Sequence, residues 1–114
     1  CIINALTPEQ HTGEVSGGYA RPGHITGSVN VPATHAIDPQ TGAYLPAEEL
    51  RKRFSEVGAE SAGRIITYCG GGIAATSDAF ILALLGKENV AVYDGSLSEW
   101  AADPSLPMET GASR

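Results

Sequence analysis

Short apolar runs separated by glycine and proline organise this chain, and they alternate between the period of a strand and the period of a helix. Ile2-Ile3 opens a short buried strand. Leu6 to Gln10 follows as a helical turn, with Thr7 placed as an N-cap and Pro8 at the first helical position, where its missing N–H is not needed. A glycine-rich loop runs from Gly13 to Gly23. Ser28 to Val31 is a second short strand, closed by Pro32, which cannot donate to a ladder. Pro46 to Phe54 carries helix formers with acids early and bases late, the order that the helix macrodipole favours. Arg64 to Tyr68 is a β-branched, aromatic run bounded by Gly63 and Gly70, which predicts a central parallel strand. The helical period resumes from Ala74 to Leu85, with Ala75, Phe80, Leu82, Ala83 and Leu85 as apolar bulk and Gly86 as its cap. Val90 to Tyr93 predicts a further strand, and Ser96 to Ala101 a short helix.

Strands alternating with helices predict an α/β fold, a mostly parallel sheet with helices on both faces and right-handed crossovers. A length of 114 residues suits one domain, residues 1–114. The first residue is Cys1 rather than Met, and the expectation is that this domain is part of a longer chain. In open parallel sheets ligands bind beyond the carboxyl ends of the strands. The stretch Cys69 to Ala75 occupies that place, joining the central strand to a helix N-terminus.

A formal charge of -6 argues against broad nucleic-acid binding, and no block of Lys or Arg marks a membrane-surface patch. The longest apolar stretch, Ala79 to Leu85, is too short to span a bilayer, and the chain does not open on the charged and apolar segments of a signal peptide. No nucleic-acid or membrane partner is expected. Cys1 and Cys69 fit neither a disulfide framework nor a C-x-x-C pattern, which points to a reducing, cytoplasmic setting. The three histidines lack metal-ligand spacing, so no metal site is expected. His11 and His35 are read as solvent-exposed, His24 as part of a structural turn, and Cys1 as core packing at the start of an apolar strand.

Chemistry concentrates at Cys69. Gly70, Gly71 and Gly72 remove three consecutive Cβ atoms where the chain must curl, so backbone N–H groups can approach one point beside the sulfur. Such amides, together with a helix N-terminus, favour a thiolate nucleophile. Three other readings stay open at this level. Cys69 could be a buried structural thiol. Gly70-Gly71-Gly72-Ile73-Ala74-Ala75 also satisfies the loose dinucleotide pattern G-x-G-x-x-[GA], with Asp94 placed for a ribose, although too little chain follows Asp94 for a second nucleotide-binding half. A C-x5-R phosphatase loop would need Arg where this chain has Ala75, and without it the charge of a phosphoryl group lacks its main partner.

Three ordered segments together resemble the rhodanese family. Gly23-His24-Ile25-Thr26-Gly27-Ser28-Val29-Asn30-Val31-Pro32 is similar to its G-H-I-P-G-[AS]-x-N-[IV]-P segment, with Thr26 in place of Pro. Tyr68-Cys69 and the loop up to Ala75 resemble its active-site loop, and Asp94-Gly95 with Glu99-Trp100 resembles its closing D-G-[GS]-x-x-E-W stretch. The resemblance implies a parallel sheet of about five strands and a loop, Gly70, Gly71, Gly72, Ile73, Ala74 and Ala75, cradling a persulfide on Cys69. It implies a sulfurtransferase without a cofactor that moves sulfane sulfur from thiosulfate, or from 3-mercaptopyruvate, to a thiol or cyanide. It also implies that the chain is similar to the catalytic second domain of a tandem enzyme, with another rhodanese domain in the same chain. A non-catalytic binding module is the alternative from another class.

Some positions depart from the better-known members. Asn4-Ala5-Leu6 stands where an Asp-[AST]-Arg ending is common, and Gln10-His11-Thr12-Gly13 where R-[FY]-x-G is common, so two cationic anchors are missing. Gly71 lacks the hydroxyl of the C-G-[ST]-G form. Arg21 is the candidate anion anchor that could replace the lost charge at the mouth of the loop; a solvated arginine paired with an acid is the competing reading.

Overall fold

The structure, a computed structural model, describes residues 1–112. Its central feature is a four-stranded parallel sheet in the order β3-β1-β4-β5, built from β1 (Ile2–Asn4), β3 (Val29–Asn30), β4 (Ile65–Tyr68) and β5 (Val90–Val92). The register pairs Asn4 with both Asn30 and Tyr68, so the carboxyl ends of β3, β1 and β4 finish level with one another. Cys69 follows directly at that edge.

The sheet has four strands rather than five. β2 (His24–Ile25) precedes β3, but the Ser28 N–H closes a tight turn on the Ile25 carbonyl at 2.9 Å, and Gly27 within it takes a left-handed φ of 84°. The chain therefore changes direction between the two segments, and only the second enters the sheet. β2 pairs instead, antiparallel, with β6 (Met108–Glu109).

Strand alternation divides the buried side chains between two faces. Ile3 and Ile65 pack against Leu50 and Phe54 of α2 (Ala47–Ser55) and Ile81 and Leu82 of α3 (Ile73–Leu84). The opposite face carries Tyr68 with Ile25 and Leu97, flanked by Tyr19, Tyr93 and Trp100. Leu97 and Trp100 come from α4 (Ser96–Trp100). α1 (Pro8–Thr12) begins as expected: the Gln10 N–H donates to Thr7 Oγ1 at 3.2 Å, and Gln10 Oε1 accepts the Thr7 N–H at 3.3 Å. The glutamine that stands in place of an expected arginine is thus half of a capping box.

α3 ends in a Schellman motif, with Lys87 N–H on the Leu82 carbonyl and Gly86 N–H on the Ala83 carbonyl, both at 3.0 Å, and Gly86 at φ 92°. Its buried face differs from the apolar count of its sequence. Ala75, Asp78, Ile81 and Leu82 face inward, whereas Phe80 is exposed and lies against Tyr44, with ring centroids 6.2 Å apart. Two further expectations are corrected. Cys1 is exposed, because its backbone nitrogen reaches the Arg64 carbonyl at the sheet's end and leaves the side chain outside. His11 is fully buried, stacked on His24 with ring centroids 3.8 Å apart.

Candidate active site

β4 delivers Cys69 to the edge of the sheet, and the next residues turn away from the strand to begin α3. What holds this turn is a set of donors aimed at its carbonyls. The Leu97 N–H donates to the Cys69 carbonyl at 3.0 Å, and Ser98 donates to the Gly70 carbonyl through both its N–H, at 3.0 Å, and its hydroxyl, at 2.7 Å. On the other side, Thr76 Oγ1 donates to the Gly72 carbonyl at 2.7 Å. With the carbonyls drawn outward by α4 and Thr76, the loop can present its amides inward. The Gly72 N–H donates to Cys69 Sγ at 3.0 Å. The amides of Gly70, Gly71, Ile73, Ala74 and Ala75 find no acceptor among the described residues.

The sulfur itself is almost enclosed, with Cys69 at 2% exposure. Gly72 is required twice over: its φ is 95°, and a Cβ there would lie 2.9 Å from Asp94 Oδ1. Asp94 therefore shapes the loop by contact.

Ser96 was not singled out by sequence, yet it fixes the cysteine. Its Oγ accepts the Cys69 N–H at 3.0 Å and donates to the Tyr93 carbonyl at 2.8 Å. To do so it adopts φ 48°, the left-handed region that a residue with a Cβ rarely enters. The only hint in sequence is its position one residue after Asp94-Gly95. Tyr19 was also missed, being one tyrosine in a glycine-rich loop. Its phenol lies directly against Gly70, where a Cβ would collide with the hydroxyl oxygen and stand 2.7 Å from Cζ.

Arg21 does not serve the loop. Its Nε donates to the Ala101 carbonyl at 3.0 Å, and its Nη2 donates to those of Trp100, at 3.0 Å, and Asp103, at 2.7 Å. These carbonyls lie at the carboxyl end of α4, while Cys69 and Gly70 meet its amino end. The Trp100 and Asp103 carbonyls also accept the N–H groups of Asp103 and Leu106, so the guanidinium adds second donors to carbonyls where the helix ends, and this contact, rather than an anion at the loop, holds Arg21.

His24 is also directed elsewhere. Its Nδ1 donates to the His11 carbonyl at 2.7 Å, and its Nε2 lies 3.1 Å from Glu109 Oε1. The Leu6 N–H donates to Asn4 Oδ1 at 2.9 Å, which orients the Asn4 amide so that Nδ2 donates to His11 Nδ1 at 3.0 Å. That nitrogen must then be unprotonated. Burial, followed by the neighbouring His24, pushes the pKa of His11 down to about 4. His35 is exposed, as expected.

The model of the rhodanese-like domain family matches residues 5–103. Thiosulfate/3-mercaptopyruvate sulfurtransferase 2 of Arabidopsis thaliana is 44% identical over 93% of this chain, and the mitochondrial thiosulfate/3-mercaptopyruvate sulfurtransferase 1 of the same plant is 43% identical over 79%. The chain spans 29% and 24% of the length of those two relatives. Among solved structures, an anaerobic ergothioneine biosynthesis enzyme from Chlorobium limicola, in complex with its substrate trimethyl histidine, superposes with a TM-score of 0.87. It is 26% identical and matches 96% of this chain and 28% of that one. Fold, loop and sequence agree: the chain belongs to the rhodanese-like domain family.

Proposed function

We propose that this domain is a sulfurtransferase that carries a sulfane sulfur on Cys69. The observation that supports it most is the loop geometry, in which Gly72 already donates to Sγ and five neighbouring amides have no acceptor among the described residues. Such a loop suits a negatively charged sulfur better than a neutral side chain. Relatives named for thiosulfate and 3-mercaptopyruvate add support, as does a structural neighbour, 25% identical, that was captured with a cysteine persulfide.

With thiosulfate as donor, the Cys69 thiolate attacks the sulfane sulfur and a new S–S bond forms. The bond from that sulfur to the sulfonate breaks, and sulfite leaves with its electron pair. In the second half-reaction cyanide or a thiolate attacks the outer sulfur, and the pair of the breaking S–S bond returns to Sγ. With 3-mercaptopyruvate the thiol proton ends on the methyl carbon of pyruvate. Thiosulfate is the first donor to test and 3-mercaptopyruvate the second. The greater length of the curated relatives fits an arrangement with another rhodanese domain in the same chain.

Enclosure of Cys69 and the engagement of Arg21 elsewhere favour one competing reading, a binding module without turnover. Intact-mass measurement after incubation with each donor separates the two. The expected result is one added sulfur on the native chain, absent from Cys69→Ser and removed by cyanide. A native chain that gains no sulfur from either donor refutes the sulfurtransferase reading.

A further inference from the structure

The hydroxyl groups around the Cys69 loop are engaged with backbone. Thr67 donates to the Ala75 carbonyl at 2.9 Å, Thr76 to that of Gly72 at 2.7 Å, Ser96 to that of Tyr93 at 2.8 Å and Ser98 to that of Gly70 at 2.7 Å. Each of them shapes the loop and has its proton committed, so it is not available as a donor to a ligand. The tyrosines divide in the same way. Tyr44 meets Ser77, Tyr68 meets Ser28 and the Ile25 amide, and Tyr93 donates to Glu99. Tyr19, the fourth, makes no side-chain hydrogen bond among the described residues, although its hydroxyl is the one that lies against the loop at Gly70.

The ring of Tyr19 is held in place by packing. It lies against the Ile25, Tyr68 and Leu97 cluster, and a Cβ at Gly17 would stand 2.9 Å from its Cε2, so glycines at 17 and 70 admit the ring from two sides. The hydroxyl makes no hydrogen bond to Cys69 Sγ, but a persulfide places its outer sulfur about 2 Å beyond Sγ. We propose that the Tyr19 hydroxyl is the side-chain donor that hydrogen-bonds the outer sulfur on Cys69, compensating for the missing cations and for the absent hydroxyl at Gly71. This rests on the sulfurtransferase reading above.

Burial, and then the charge at Cys69, raise the pKa of the phenol above its ordinary value, so it remains a donor at neutral pH. Donation to the outer sulfur withdraws negative charge from the atom that the acceptor must attack. When cyanide attacks, the carbon–sulfur bond forms, the Sγ–S bond breaks, and its electron pair returns to Sγ. A persulfide anion and cyanide become a thiolate and thiocyanate, with charge conserved, and Tyr19 keeps its proton.

The test compares native chain, Tyr19→Phe and Cys69→Ser, loaded with thiosulfate or 3-mercaptopyruvate and then mixed with cyanide, with loss of the added sulfur followed by intact mass. Phenylalanine keeps the ring that packs, and the hydroxyl it removes has no hydrogen-bond partner among the described residues. Tyr19→Phe is expected to lose its sulfur about 10- to 100-fold more slowly than the native chain, the range for one hydrogen bond to a charged group. Alkylation of the unloaded Cys69 by iodoacetamide should keep its pH profile, because the hydroxyl makes no hydrogen bond to Sγ and stays neutral in that range. Equal discharge by the two proteins overturns the role of Tyr19 and leaves the persulfide reading standing. A slower discharge accompanied by an altered alkylation profile also overturns it, since the substitution would then have disturbed the loop itself. A native chain that takes up no sulfur overturns both.

Discussion

Asp78 offers a test of the folded structure through pH. It lies on the inner face of α3, fully buried, and neither carboxylate oxygen has a hydrogen-bond partner among the described residues. Desolvation pushes its pKa from 3.8 up to about 8. The unfolded chain ionises this group near its ordinary value, so between about pH 4 and about pH 8 folding must take up a proton. The unfolded state then binds fewer protons than the native state, and stability falls as pH rises, by about 1.4 kcal/mol per pH unit. The loss is complete once pH passes the folded pKa. From pH 5 to pH 7 this amounts to about 3 kcal/mol, a large share of the roughly 5–15 kcal/mol that holds a domain together.

His11 acts with the opposite sign. Its folded pKa is lowered from 6.5 to about 4, so its contribution is fully present above about pH 6.5 and is lost as pH falls toward about 4. The two slopes cancel through the acid range, and the Asp78 slope emerges alone between about pH 6.5 and about pH 8. Asp78→Asn isolates it, because asparagine is nearly isosteric and cannot ionise. Urea unfolding of both proteins at several pH values gives the difference in stability from the midpoint and slope. The gain from Asp78→Asn should be small near pH 5 and should grow by about 1.4 kcal/mol per pH unit up to about pH 8. Parallel stability curves for the two proteins would refute the argument, showing that the carboxyl is paired or solvated in the folded state.

Other consequences concern the loop and its supports. Gly72→Ala forces a Cβ into the left-handed region and against Asp94, and should cost about 1–3 kcal/mol by urea unfolding while lowering sulfur uptake by Cys69; unchanged values in both assays would contradict the loop geometry. Ser96→Ala leaves the buried Cys69 N–H and the Tyr93 carbonyl without their hydroxyl partner, an expected loss of about 1–3 kcal/mol, also read by urea unfolding. Arg21→Ala removes three hydrogen bonds at the end of α4, so thermal stability should fall while the Michaelis constant for thiosulfate stays the same; a raised constant with unchanged stability would restore the anion-anchor reading.

Much of this protein was legible in one dimension. β4 and α3 announce themselves because a β-branched run and a helical period are local properties, and the glycines between them mark where the chain must curl. The Thr7 cap and the Gly86 terminus follow from bonds that span only a few residues. The position of Cys69 at the carboxyl end of a central strand was legible for the same reason.

What only the tertiary structure decided are contacts between residues far apart in sequence. Arg21 has a positive charge wherever it lies, but its partners are carbonyls some eighty residues away, exposed because α4 ends there. His11 follows a helix start and is polar, yet stacking on His24 and a bond from Asn4 bury it. Phe80 and Asp78 are two positions apart on one helix, and the neighbours of α3 bury the acid and expose the aromatic ring, against their hydropathies. Ser96 and Tyr19 become part of the Cys69 surroundings because α4 and the Gly13–Gly23 loop converge on Gly70 from separate parts of the chain. Sequence by itself determined the local elements and the identity of the nucleophile candidate, since propensity and spacing act over short range. Which polar groups surround that sulfur, and which are taken up elsewhere, was decided by packing, since hydrogen-bond partners are chosen by proximity in space.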